Sequence, residues 1–418
     1  MYALCDINSF YASAHAVFRP DIRKGGIIVL SNNDGCIVAA NRKAKELGIK
    51  KFGPYFQVKK QCEQLGLYVF SSNYELYSDL SSKFMQTVGQ FAPAQHIYSI
   101  DETFLDLHHC YPAIRDVSAY GSLIRKTVWK ECRLPICVGI GTTLTLAKLA
   151  NHTAKCHRHY KGVCVIDNEI DRLNILKMTA VNDVWGVGKK ISRRLESMDI
   201  KTAYQLAKMP PKCARKNFNI EIERTVRELN GQICKTWDQV QADKKQIFST
   251  RSLGRRITCR DELQQALAKH ANIAARKARS QNSGCQSLLV FAGNSPHDDR
   301  PQQFKTIMKF ARPTNCSTEL TKATTRALDK LFSTGVRYYK IGVGMLDLSD
   351  LSHEQYDLFN QSQNNPELMK VYDDLNDRFG PDTIYLTAQG QNQRWAMRRE
   401  MLSPQYTTNW KHIPIIRC

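Results

Sequence analysis

The sequence predicts an α+β protein of several domains, and three observations carry that prediction. Short apolar runs alternate with helical periodicity as far as about Asp167. A helical, basic stretch follows. Past Lys245 the elements run strand, helix, strand, strand, helix, strand.

Taken in order, strands are expected at Tyr2–Ile7, Ile27–Ser31, Leu67–Ser71, Ile97–Ile100 and Ile136–Ile140, with helices over Glu75–Val88 and Ala113–Lys130. The turn Asn32–Gly35, between the apolar stretches Ile27–Leu30 and Cys36–Ala39, reads as a tight hairpin in which Gly35 supplies the positive φ. A helix from about Asn41 to Leu47 follows, closed by Gly48. Trp185–Ile191 alternates apolar residues with glycine ahead of a helix, the form of a helix-hairpin-helix. Gly186 and Gly188 let the backbone turn tightly, so that amides at the next helix's N-terminus face a DNA phosphate with Lys189 and Lys190 beside them. A plain glycine turn fits the same residues.

Residues 235–245 are polar and aperiodic and read as a linker. Beyond them lie a strand (Ile247–Thr258), a helix (Glu262–Gln281), strands Gln286–Ala292 and Phe304–Phe310, a helix (Thr318–Phe332) and a strand (Val336–Leu346), which together make a split βαβ unit with a four-stranded sheet. Arg251, Arg255, Arg256, Arg260, Lys269, Arg276, Lys277 and Arg279 make its start basic, as a module lying along a nucleic-acid groove requires; a solvated helix face has the same composition. The last 70 or so residues are polar, with an Asn and Gln cluster at Gln361–Asn365, and read as a partly ordered tail.

The 418 residues include 60 Lys plus Arg against 39 Asp plus Glu, a formal charge of +21, which points to a polyanionic partner, nucleic acid first. At 42% hydrophobic the chain has material for several cores, which excludes wholesale disorder. No run approaches the roughly 18 apolar residues of a membrane span, and no basic segment precedes the first strand, so a soluble intracellular protein is expected. The 14 cysteines are scattered without a C-x-x-C pair and read as reduced thiols. His152, Cys156, His157 and His159, and separately His108, His109 and Cys110, lack a second half at ligand spacing, so zinc is not expected.

Asp6 ends the first strand, and Asp101-Glu102 lies at the turn of an apolar strand–turn–strand, Ile97–Leu105. Acids among apolar neighbours need a counter-charge. Two Mg²⁺ ions about 4 Å apart, bridged by carboxylates and substrate phosphates, would supply it. Each acid taken alone is more often a surface or turn residue than a ligand. After Asp6 the run Ile7–Ser13 offers backbone amides for phosphate oxygens and the rings of Phe10 and Tyr11. Core packing is the competing role, retained for the Phe10 ring.

With these residues in place, the sequence resembles the Y-family of translesion DNA polymerases, most closely the UmuC-like catalytic subunits of bacterial DNA polymerase V. The resemblance runs through Asp6–Tyr11, Ser71–Tyr77, Tyr98–Glu102, Val138–Gly141, Leu146–Asn151, Asp183–Gly188, Glu223–Leu229 and Met401–Pro404. It implies a right-hand polymerase: a palm with a ferredoxin-like sheet (1–18 and 76–167), fingers (19–75), a helix-hairpin-helix thumb (168–234), a linker (235–245), a split βαβ little finger (246–347) and a C-terminal tail (348–418).

The resemblance also implies roles. Asp6, Asp101 and Glu102, with the Ile7 carbonyl, would hold two Mg²⁺ ions, with no organic cofactor. Tyr11 falls on the steric gate that refuses a ribose 2′-hydroxyl. Lys155, Lys45 and the Phe10 segment would bind the triphosphate, Lys45 standing where the family has arginine and Ala39 where it has threonine. Gly186, Gly188, Lys189, Lys190, Arg251, Arg255 and Arg256 would contact DNA. Asn41 and Tyr74 read as supports. Gln355, Leu358 and Phe359 fit the Q-x-x-L-F pattern that docks on the sliding clamp. The implied activity is low-fidelity addition of deoxynucleotides to a primer opposite damaged bases, in the cytoplasm at the nucleoid. Its implied partners are primer-template DNA, deoxynucleoside triphosphates, the clamp, a dimer of a processed UmuD-like protein and the RecA recombinase. A two-metal nuclease would need the same acids without a sugar gate, and a DNA-binding scaffold would need only the basic modules.

Overall fold

The computed structural model describes residues 1–110, 113–237, 243–352, 365–391 and 393–413. Residues 1–240 and 400–418 form one compact unit and residues 241–399 a second.

The first unit is built on strands β1 (Tyr2–Ile7), β2 (Ile27–Leu30), β3 (Ile37–Ala40), β4 (Tyr68–Ser71), β5 (Ala94–Ile97), β6 (Glu102–Asp106), β7 (Ile136–Gly141) and β8 (Val163–Ile166). Its helices are α1 (Phe10–Phe18), α2 (Arg42–Glu46), α3 (Tyr55–Gln64), α4 (Tyr74–Gly89), α5 (Val117–Cys132), α6 (Leu144–Cys156), α7 (Glu169–Met178), α8 (Lys189–Glu196), α9 (Ala203–Lys208), α10 (Pro211–Asn217) and α11 (Ile220–Leu229). Five strands form a sheet in the order β5-β6-β1-β7-β8, and β3-β2-β4 form a smaller sheet. β1 is central and buried apart from Asp6, so its run of small and aliphatic residues is what a two-sided core demands. α4 and α5 cover one side, their buried Leu76, Leu80, Phe84, Ile124 and Val128 meeting Ala3, Cys5 and Ile7.

α6 lies so close to β7 that a Cβ at Gly139 would run into the α6 backbone at Asn151. Asn151 locks the contact, its Nδ2 donating to the carbonyls of Cys137 (2.8 Å) and Leu4 (3.2 Å). The helical part, α7 to α11, joins this layer through a shared apolar core (Leu146, Leu149 and Ala150 with Leu176, Val226 and Leu229) and through the buried Glu228 of α11. Its carboxylate accepts from the Thr145 amide (3.0 Å) and hydroxyl (2.5 Å) at the start of α6, and from the amides of Cys234 (3.3 Å) and Lys235 (2.8 Å). The turn between β2 and β3 departs from expectation. Asn33 and Asp34 carry the positive φ (61° and 53°), interrupting a short 3₁₀ turn, while Gly35 sits at −79°; Asn and Asp tolerate the left-handed region better than other non-glycine residues.

The second unit contains β9 (Ile247–Ile257), α12 (Arg260–Arg279), β10 (Ser283–Gly293), β11 (Gln303–Thr314), α13 (Ser317–Leu331), β12 (Tyr338–Asp350) and α14 (Pro366–Phe379). The sheet order is β11-β10-β12-β9, each neighbouring pair antiparallel, so β9 and β10 flank β12 in the split arrangement expected. α12 and α13 cover one face with Leu263, Leu267, Ala271, Leu320 and Leu328.

The described residues of the segment read as a tail are largely packed, and they divide between the units. α14 lays its acids on α12: Asp373 takes Arg279 in a fork at 2.6 and 2.8 Å, Asp377 takes Arg276, and Asp382 beyond the helix takes Lys269. Tyr372 accepts from Asn272 at 3.0 Å, and Trp395 enters the core. Polar composition concealed this because the contacts are ionic.

Within the first unit, residues 400–406 lie along β4. The Ser71 amide donates to the Met401 carbonyl (2.9 Å), the Met401 amide to Ser71 Oγ (3.0 Å), and Asn73 Nδ2 to Ser403 (3.0 and 3.2 Å). The Glu400 amide reaches Asp34 at 2.9 Å, and Tyr406 stacks on Phe18.

Candidate active site

β1 and β6 are paired so that Asp6 stands directly opposite Glu102. The turn between β5 and β6 folds back, with the Tyr98 and Ser99 amides both donating to the Glu102 carbonyl at 3.1 Å, and the Ile7 amide donates to the Asp101 carbonyl at 2.9 Å. One antiparallel pair and its turn therefore bring Asp6, Asp101 and Glu102 to one end of the sheet. Ser99 Oγ donates to Asp101 Oδ1 at 2.6 Å.

Burial pushes the Asp6 carboxyl up to about 6; Lys155 opposes the shift, and the charges of Asp101 and Glu102 add to it. Lys155 Nζ lies 2.6 Å from Asp6 Oδ2, and Lys148 Nζ lies 3.0 and 3.2 Å from the Glu102 carboxylate. Both lysines project from α6 seven residues apart, two turns on one face. Among the described residues no three His, Cys, Asp or Glu side chains converge to enclose a metal, because Asp6 and Glu102 are each drawn to a lysine. The donor set nevertheless fits hard divalent cations: all-oxygen, with mutual repulsion that a lysine at Asp6 and another at Glu102 already relieve.

Asp6 and Asp101 open into a cleft of about 1270 Å³, lined also by the first turn of α1 with Tyr11, Ala39, Lys45 and Lys155. Ser9 precedes α1 with φ 48°, and its hydroxyl donates to the Ala40 carbonyl instead of capping the helix, so the first-turn amides of α1 have no side-chain partner. This is a ready anion site. The Phe10 side chain is in the core, so only its backbone can serve a triphosphate. Lys45 is exposed on α2; partial burial, with Lys51, Lys155 and Arg42 nearby, holds its ammonium below the usual range. Asn41 is the support expected, capping α2 through the Ala44 amide and tying the Ile27 amide and the Gly25 carbonyl. Tyr11 is half-buried and stacks on Tyr77.

In the helical part, Gly186 has φ 90° and needs glycine, whereas Gly188 is extended (φ −80°) and caps α8, with open space where a Cβ would stand. The expectation that both glycines are required is corrected to one. Lys189 and Lys190 are exposed at the uncapped start of α8.

In the second unit Arg255 is exposed, but Arg256 is held by Asp298 (2.5 and 2.9 Å) and the Arg337 carbonyl, over the Tyr339 ring. Arg251 is half-buried against Met397, and Lys269, Arg276 and Arg279 meet α14. The basic start of this unit therefore holds the unit together as much as it faces outward. Gln355, Leu358 and Phe359 lie outside the described residues. Reasoning from sequence missed Lys148, although its spacing from Lys155 was a signal, and missed Tyr77.

Comparison with known proteins agrees with this geometry. The impB/mucB/samB family model matches residues 5–152, its C-terminal domain matches 244–358, and a domain of unknown function (DUF4113) matches 366–416. The chain is 41% identical to Protein UmuC of Salmonella typhimurium over 99% of both chains, and 24% identical to DNA polymerase IV of Moorella thermoacetica over 91% of this chain and 94% of that one. A solved Y-family DNA polymerase chimera, 16% identical, superposes with a TM-score of 0.64 over 84% of this chain and 99% of its own, a likeness of fold. The sheet with its acids, the helical hairpin and the separate βαββαβ module define the Y-family DNA polymerase architecture. The chain belongs to the impB/mucB/samB family and is a UmuC-like translesion DNA polymerase. No described helix is long and apolar enough to cross a membrane.

Proposed function

We propose that this polymerase extends a primer opposite damaged template bases with low fidelity, using the cleft at the Asp6 end of the palm sheet. The observation that carries the reading is the facing pair Asp6 and Glu102, with Asp101 at the turn beside them, opposite an uncapped helix start and two lysines. Asp6, Asp101, Glu102 and the Ile7 carbonyl would hold two Mg²⁺ ions. When bound, these ions activate the primer hydroxyl and neutralise the triphosphate.

The chain's own groups do the rest. Lys155, paired with Asp6, would serve the triphosphate together with the first-turn amides of α1, and Lys45 would add charge as a point cation without arginine's fork. Tyr11 lies under the incoming sugar and refuses a 2′-hydroxyl. Ala39, Val38, Cys36 and Gly35 are small, leaving room over the templating base. Gly186, Gly188, Lys189 and Lys190 hold the duplex by its phosphates, and Arg251 and Arg255 reach it from the little finger. The palm, fingers, thumb and little finger have the bounds given above. The remaining partners proposed are the sliding clamp at Gln355, Leu358 and Phe359, a processed UmuD-like dimer and RecA, with the enzyme working in the cytoplasm at the nucleoid.

Primer extension with single deoxynucleotides tests the reading. Asp101→Ala or Glu102→Ala should reduce addition by at least about a hundredfold while DNA binding persists, since a metal site contributes several kcal/mol to the transition state. Extension above about a tenth of the parent's rate would remove these acids from the reaction.

A further inference from the structure

The Tyr11 ring does not stand alone. It lies flat on Tyr77, ring centroids 4.3 Å apart and planes 11° from parallel, and Tyr74 meets both rings edge-on at 6.1 and 6.0 Å. Tyr77 is fully buried, and its hydroxyl is 2.7 Å from Nε2 of His15. His15 is itself 1% exposed and stacks on Phe70 at 4.2 Å and 7°. A continuous column therefore runs from the cleft into the core: Tyr11, Tyr77, His15, Phe70.

We propose that His15 and Tyr77 are positioning residues for the sugar gate, their hydrogen bond fixing the plane on which Tyr11 rests and so setting how strictly a ribonucleotide is refused. The inference rests on Tyr11 being that gate. A gate acts by not yielding. The 2′-hydroxyl adds one oxygen, and a ring free to retreat by a fraction of its own thickness admits it. Tyr11 is on the first turn of α1, half-exposed, with one broad face on Tyr77 and the Phe10 and Tyr74 rings beside it; the plane that Tyr77 offers is set by its packing and by what holds its far end. The bond to His15 ties it.

Packing does not account for the pair. His15 Nδ1 is buried without a hydrogen-bond partner, so whichever tautomer is present leaves one ring nitrogen unsatisfied. Two phenylalanines would fill the same space without that penalty. Burial lowers the His15 pKa to about 3, so the ring is a neutral partner to Tyr77 throughout the physiological range.

The test compares deoxynucleotide and ribonucleotide addition by the full chain and by Tyr77→Phe, His15→Phe, the double variant and Tyr11→Ala. Tyr77→Phe and His15→Phe should each relax sugar discrimination by about two- to tenfold, the range of one hydrogen bond. The double variant should relax it no further than either single change, since all three remove the same bond. The double variant should melt no lower than the parent, because the orphan nitrogen and the buried hydroxyl are removed together. A merely structural role would slow both sugars in parallel and leave their ratio unchanged, which would overturn the proposal, as would additive effects in the double variant. Tyr77→Phe keeps the experiment decisive should His15→Phe fail to fold. If Tyr11→Ala relaxes the ratio and neither partner does, the gate stands and this inference falls. If Tyr11→Ala leaves the ratio unchanged, the gate reading itself is wrong.

Discussion

Asp6 illustrates how a single residue can be poor for the fold and necessary for the site. It is the one position on β1 that is neither apolar nor fully enclosed, and its carboxyl is shifted up to about 6 from an ordinary 3.8. For an acid raised in the folded state, the folded chain holds its proton over a window where the unfolded chain has lost it. Stability linked to that proton is therefore full below about 3.8 and disappears as pH rises through 6. In chelator, Asp6→Asn should be equal to the parent near pH 3.5 and more stable at pH 7 by up to about 3 kcal/mol, at 1.36 kcal/mol per pH unit. Urea unfolding at the two pH values checks this. A variant less stable than the parent at pH 7 would mean that the pair with Lys155 outweighs burial.

At the scale of elements, the apolar joint between the helical part and the palm encloses one charged side chain. Glu228 takes four hydrogen bonds at the start of α6 and the end of α11. Glu228→Ala would leave those donors unsatisfied in the interior, at about 1–3 kcal/mol for each group that water cannot reach. A loss of at least about 3 kcal/mol in urea unfolding is expected; a change below about 1 kcal/mol would mean that the joint relaxes freely.

Much at this scale was legible beforehand. The order and placement of β9 to β12 with α12 and α13 follow from periodicity, because each element buries one regular face. Asp6, Asp101 and Glu102 could be picked out because acids among apolar strand residues are conspicuous. The rest depends on partners distant in sequence. Nothing near Arg256 signals Asp298. α14 is recognisable only against the basic face that it covers. Met401–Pro404 was noticed as a motif, but its reason is Ser71 and Asn73, some 330 positions earlier. Gly35 misled because its neighbours Asn33 and Asp34, which tolerate the left-handed region, carry the positive φ instead.

For the whole molecule, a charge of +21 is less a measure of DNA grip than it looks, since many arginines of the second unit are neutralised within it. Affinity for duplex DNA should still fall steeply with salt. The individual slopes should separate two adjacent residues: Arg255→Ala lowers the log–log slope by about 1, while Arg256→Ala leaves it unchanged and lowers the melting temperature. Equal slope losses for both would return Arg256 to the DNA-binding set.

The path of residues 400–406 has one more effect. The chain leaves the first unit at residue 240, builds the second over 241–399 and returns to lie along β4, so the second unit is inserted rather than appended. A protease site inserted after residue 240 and cut once should yield two fragments in denaturing gels, yet a single species by size exclusion. The downstream fragment still carries the residues that bond Ser71 and Asn73. Only a second cut, just before Glu400, should set the little finger free.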